Sequence, residues 1–135
     1  ICNLFQSDQC QISIVAQFPQ HVVLSDPIDL ERIFTNLITN SIQAQMPEKK
    51  CCIEIQIRNF QQHVFIVLKD NGIGISDDIK VKLFQPRFTT KSNGTGLGLA
   101  TVKTLVEWSG GKIKCKSKTQ EGTRMIIQYP LLSIA

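Results

Sequence analysis

Three short stretches carry residues whose types and spacing suit them to act together on a phosphorylated ligand. Asn36, Asn40 and Gln43 recur at intervals of four and three residues, and on a helix this places them within about 60° of one another around the axis. An amide oxygen is a competent neutral ligand for a hard cation such as Mg2+, which takes only one or two protein ligands when it also holds phosphates. Taken alone, such a stripe is more often the solvated flank of a helix. Asp70-Asn71-Gly72-Ile73-Gly74 follows an apolar run and supplies a carboxylate and then two alternate glycines. A carboxylate there can accept a hydrogen bond from an exocyclic amino group of the kind adenine carries, and the glycines let the backbone turn and approach a flat ring. By itself the pattern serves equally well as an ordinary turn.

The third stretch places Gly94, Gly96 and Gly98 at alternate positions, interleaved with Thr95, Leu97 and Leu99, at the head of an apolar-periodic segment. Unencumbered backbone N–H groups and the partial positive charge of a helix N-terminus favour phosphate. The run is not a Walker A loop, because no Gly-Lys-Ser/Thr follows. Nor is it a Rossmann fingerprint, because no strand leads into it. Each stretch decides little alone; the ordered set of three carries the argument.

These residues need a scaffold. At 135 residues and 42% hydrophobic, the chain is sized for one domain with a real core. No apolar run reaches the roughly 18 to 20 residues that span a bilayer, and residues 1–10 lack a signal-peptide layout, so the fragment reads as soluble, and this domain is expected to be cytoplasmic. The chain begins with Ile1 and is expected to be a piece of a longer protein, membrane-anchored or soluble. Five scattered cysteines without a C-x-x-C pair predict free thiols. Lys112, Lys114, Lys116 and Lys118 alternate at strand period. They read as a solvated sheet face rather than a footprint for an acidic partner, and no nucleic-acid partner is expected.

Periodicity and punctuation predict strands over 11–18 and 21–25, joined at Pro19-Gln20. Asp26-Pro27-Ile28-Asp29 supplies an N-cap, an N1 proline and a first-turn acid for a helix running to about Gln45, with Leu30, Ile33, Leu37, Ser41 and Ala44 facing the sheet. A hairpin over 51–59 and 63–70, a short helix over 77–84, a loop over 85–94, a helix over 95–109 and a hairpin over 112–118 and 123–129 follow. This order predicts a two-layer α/β sandwich with a mixed, mainly antiparallel sheet and helices on one face.

From about Gln11 to Leu131 the chain resembles the catalytic and ATP-binding domain of sensor histidine kinases, in the superfamily that also holds gyrase, an ATPase chaperone and the mismatch-repair ATPase. Residues 36–41, Asn-Leu-Ile-Thr-Asn-Ser, resemble the family's N box; 70–74 resemble its first glycine box, 84–91 its F box and 94–99 its second glycine box. The resemblance implies a Bergerat-type fold, ATP and Mg2+ as cofactors, and transfer of the γ-phosphate to a histidine. It implies Asn40 as metal ligand, Asn36 as a polar contact near metal and phosphates, and Asp70 as the adenine-reading carboxylate. Gly72 and Gly74 would shape the base pocket. Residues 94–99 would border the triphosphate, with 85–93 as the ATP lid, Lys91 reaching the terminal phosphates and Gly122-Thr123 near the base.

Two positions depart from the pattern. Gln43 stands where many relatives carry lysine or arginine, which puts one phosphate contact in doubt, and Arg87 stands where the F box usually carries an aromatic. Arg87 either points to solvent from the lid or supplies charge to ATP or a partner domain. The hydrolase branches of the superfamily carry a glutamate four residues before the metal asparagine as general base; here that position is Asn36, an amide without useful basicity. The two histidines, His21 and His63, fall in predicted strands and read as structural. The phospho-acceptor is therefore expected on a dimerisation domain of the parent protein ahead of residues 1–10, which would be the linker, with 11–135 as the catalytic domain. A response-regulator receiver would be an indirect partner.

Overall fold

The structure is a computed structural model that describes residues 10–17, 23–90, 94 and 96–132. Its elements run β1 (Cys10–Ala16), α1 (Pro27–Gln43), β2 (Cys51–Phe60), β3 (His63–Asp70), α2 (Asp77–Lys80), α3 (Gly98–Trp108), β4 (Lys112–Lys118) and β5 (Gly122–Pro130). Helix α1 starts where the capping residues put it: Asp26 Oδ1 accepts the Ile28 amide at 2.7 Å, Pro27 opens the first turn and Asp29 lies within it. It ends with Ala44 as C-cap, ahead of Pro47.

The strands form one sheet in the order β1-β2-β3-β5-β4. β1 runs parallel to β2 and all other pairs are antiparallel. Alternation sends one set of side chains to the helices: Ile53 and Ile55 of β2, Val64, Ile66 and Leu68 of β3, and Met125, Ile127 and Tyr129 of β5 are buried. From α1, Ile33, Leu37 and Ile38 meet this layer at 0, 2 and 0% exposure, and each such side chain contributes about 1.5–3 kcal/mol by leaving water. Helices α1 and α3 pack on each other, with α1 over β2 and α3 over β4. The outer face is the polar one, and the four alternating lysines stand exposed on β4. Because β4 is an edge strand, they also guard it against pairing with another chain.

Four expectations on element bounds are corrected. Cys10, assigned to the linker, is the first residue of β1 and is buried. No strand forms at 23–25, the described part of the expected second strand; Ser25 instead hydrogen-bonds through its hydroxyl to that of Ser109 at 3.3 Å, and the segment leads straight into the α1 cap. The helix expected over 77–84 is a single turn, Asp77–Lys80, continued by turns. The last helix begins at Gly98 rather than at 95, because Gly96 sits at φ 71°, outside helical space. Residues 18–22, with His21, lie outside the described residues. His63 opens β3 with its ring tilted against Phe65 at 6.3 Å.

Cys10, Cys51, Cys52 and Cys115 are unbridged thiols. Cys10 and Cys51 face each other across β1 and β2, sulfur to sulfur at 2.6 Å. Loss of water, then the Cys10 neighbour, pushes the Cys51 thiol up to about 12, and burial pushes Cys115 up to about 11, from an ordinary value of 9.0. Above pH 9 the unfolded chain therefore releases these protons while the folded chain keeps them, and stability falls as pH rises. Thermal melts should show Tm falling between about pH 9 and 11, less steeply in Cys115→Val; an equal slope would remove Cys115 as a contributor.

Candidate functional site

The register that buries one sheet face also places Asp70, last residue of β3, on the helix side. It is 6% exposed. Ser41 of α1 donates its hydroxyl to Oδ2 at 2.8 Å, the Gly72 amide donates to Oδ1 at 2.9 Å, and the Thr123 amide of β5 donates to Oδ1 at 3.2 Å. A carboxylate accepts about four hydrogen bonds. Three segments of the chain thus aim it and leave acceptor capacity for one more donor.

The loop after Asp70 is strapped on both sides. The Ile73 amide donates to the Ala44 carbonyl at 2.8 Å, and a Cβ on Gly72 would come within 2.5 Å of that same oxygen. On the other side the Gln120 amide donates to the Ile73 carbonyl at 2.6 Å, and a Cβ on Gly74 would lie 2.0 Å from the Lys118 carbonyl oxygen. The Asn71 carboxamide bridges to the start of β2, accepting from the Cys52 amide and donating to the Lys50 carbonyl, both at 2.9 Å. The first glycine stretch is therefore the junction of α1, the β2–β3 hairpin and the β4–β5 turn.

Along α1, Asn36 and Asn40 are half-buried at the edge of the packed face, whereas Gln43 is exposed. Asn36 Nδ2 donates to the Arg32 carbonyl at 2.8 Å, and its Oδ1 faces α3, where a Cβ on Gly98 would approach to 2.8 Å. Helix α3 starts without a side-chain cap, the arrangement that leaves first-turn amides to an anion. The loop ahead of it is closed at its base, where the Arg87 amide donates to the Gly96 carbonyl at 2.8 Å. Arg87 is exposed and takes the left-handed conformation, φ 65°, an unusual one for a residue with a Cβ. Gly94 and Leu97 are exposed and Leu99 packs on the core. Lys91 and Thr95 lie outside the described residues.

The candidate residues thus collect along one flank of α1: Asp70, Gly72 and Thr123 at Ser41 and Ala44, and Gly98 at Asn36, with Asn40 between. Ser41, expected on the packed face of α1 and within the 36–41 box, also orients Asp70; a hydroxyl within an otherwise apolar helix sector is the signal for this second role. The outer face of the sheet carries a groove of about 340 Å3 that adjoins this site at Asp70 and Asn71 and is otherwise lined by Gln11, Ser13, Cys52, Ile53, Glu54 and Lys69.

The model of the histidine kinase-, DNA gyrase B- and HSP90-like ATPases matches residues 25–133. The chain belongs to that family. Among its relatives, the sensor histidine kinase ZraS of Salmonella typhimurium is 34% identical over 128 residues, which are 95% of this chain and 27% of ZraS. Sporulation kinase B of Bacillus subtilis is 35% identical over 112 residues, 83% of this chain and 26% of that protein. The chain therefore spans about a quarter of the length of these curated relatives. Among solved structures, the nucleotide-free catalytic domain of histidine kinase ThkA superposes with a TM-score of 0.78 at 28% identity, covering 90% of this chain and 79% of that one. The expected two-layer fold is the fold of these ATPases. Among the described residues no helix is long and apolar enough to cross a membrane.

Proposed function

We propose that this chain is the catalytic part of a sensor histidine kinase, which binds Mg-ATP and presents its γ-phosphate to a histidine on a separate helical domain of the parent protein. The observation that carries the proposal is Asp70, held by Ser41, Gly72 and Thr123 with acceptor capacity to spare, at one end of a helix flank whose other end meets the uncapped start of α3. The spacing suits a purine at the carboxylate and phosphates toward Asn36, Asn40 and α3. Asn40 would offer its amide oxygen to Mg2+. Among the described residues no group of three or more His, Cys, Asp or Glu could hold a metal by itself, so the donor set fits a cation that brings phosphate ligands with it.

When bound, Mg-ATP supplies the phosphoryl group and the charge that shields it. The chain's own part is positioning: Asp70 reads the base, the glycine backbones admit the nucleotide, and α3 turns its first-turn amides to the phosphates. Asn36 stands where hydrolysis would need a base, and an amide cannot take a proton from water. Transfer to a positioned acceptor is thus favoured over water attack. On this reading the parent protein's dimerisation domain carries the acceptor, a response regulator receives the phosphate next, and the catalytic domain works in the cytoplasm.

The test mixes the chain with labelled Mg-ATP and the separately made acceptor-helix domain of its parent. Acid-labile phosphate should appear on the acceptor, with little free phosphate in its absence. Rapid phosphate release by the chain alone, with none transferred, would assign it to the hydrolases instead.

A further inference from the structure

Ser117 is the one buried residue of β4, a strand whose other positions are half-buried or exposed. Three groups from two segments converge on its hydroxyl: the Ile75 amide, the Gly122 carbonyl and the Thr123 hydroxyl, each at 2.8 Å. A serine hydroxyl has one proton and two lone pairs. The Ile75 amide can only donate, so it takes one lone pair. The Gly122 carbonyl can only accept, so it takes the proton. Toward Thr123 only the second lone pair is left, so the Thr123 hydroxyl must donate to Ser117.

That assignment fixes the polarity of Thr123. Its own proton is spent on Ser117, and its Oγ1 has only acceptor capacity left. Thr123 lies beside Asp70, joined to it by the amide hydrogen bond at 3.2 Å and buried on the same sheet face. Asp70 is also an acceptor. Resting on the nucleotide site proposed above, we infer that Ser117 is a specificity-determining positioning residue: by holding the Thr123 proton it leaves two acceptors at the base edge, which suit the amino group at purine C6 and repel a C6 oxygen. Ser117 does not touch the base; it acts through Thr123.

Affinities for ATP and inosine triphosphate test this, since the two differ at the C6 edge. The wild-type chain should prefer ATP by at least about 100-fold, two hydrogen bonds' worth of mismatch. Ser117→Ala frees the Thr123 hydroxyl to rotate and donate, and should cut that preference about 10-fold, with inosine triphosphate losing less affinity than ATP. Ser117→Thr keeps a hydroxyl at the position and should restore the preference. Thr123→Val removes the second acceptor and should lower the preference by a similar factor, which tests the idea even if Ser117→Ala does not fold. Equal weakening of both nucleotides in Ser117→Ala and Thr123→Val, with the ratio unchanged, would reduce Ser117 to a packing role and overturn the inference. A wild-type chain that binds neither nucleotide would instead fell the nucleotide site itself.

Discussion

Asp70→Asn should lower affinity for Mg-ATP by about 100-fold or more while leaving the fold intact, since one oxygen-to-nitrogen exchange turns an acceptor into a donor at the base edge. Oδ1 already accepts from the Gly72 and Thr123 amides, so in the variant the amide oxygen must keep that place and the amide nitrogen must replace Oδ2. There Ser41 can adapt, because its hydroxyl accepts as well as donates. An exocyclic amino group cannot adapt and would face another N–H. The variant should therefore melt close to the wild type, and titration of a fluorescent ATP analogue should show the loss. A variant that binds ATP within a factor of three of the wild type would remove Asp70 from base recognition.

Gly122→Ala should cost about 3 kcal/mol or more and lower Tm by roughly 10 °C, through backbone rather than side-chain chemistry. Gly122 has φ 91°, and a Cβ there would lie 2.1 Å from the Asp70 carbonyl oxygen and 3.2 Å from Asn71 Cα. Neither neighbour is a flexible side-chain end, so β3 and β5 must separate at the residue pair that aims the carboxylate. Gly110→Ala provides the control, because it shares the left-handed backbone, φ 75°, but its Cβ would meet nothing nearer than the Pro130 ring at 3.9 Å. It should cost only the conformational part, about 1–2 kcal/mol. Urea denaturation of the two variants separates the contributions, and equal losses would show that the close approach at Gly122 relaxes freely.

Much of this architecture was legible in the residues. Helix α1 declares itself through Asp26 and Pro27, and both hairpins show their strand period. The resemblance to the family, which the match over residues 25–133 bears out, rested on residue types and their order alone. The sheet order was less accessible. The β4–β5 hairpin can join the sheet by either strand, and nothing local says that β5 inserts between β3 and β4, yet that choice alone brings Thr123 to Asp70. Ser41 and Ser117 escaped for the same reason: a lone serine in an apolar sector announces a partner only when the distant segment carrying it is known. The start of α3 was misplaced because apolar period continues through the glycine run, while backbone geometry at Gly96 does not. The strand expected at 21–25 does not form in its described part, where Ser25 instead accepts from Ser109 at the end of α3, just ahead of the Asp26 that caps α1.

The two hydrogen bonds that orient Asp70 from afar, one from the Ser41 hydroxyl and one from the Thr123 backbone amide, arise 29 and 53 residues away along the chain. If this carboxylate reads the base as proposed, the site has no partial version: a state that has lost α1 or β5 has also lost the carboxylate's aim, so ligand binds the complete fold alone. Mass action then makes the nucleotide a folding partner, adding about 2.7 kcal/mol when present at a hundred times its dissociation constant. In a cell the supply of its own ligand would thus protect this chain from unfolding and proteolysis, and starvation would withdraw that protection.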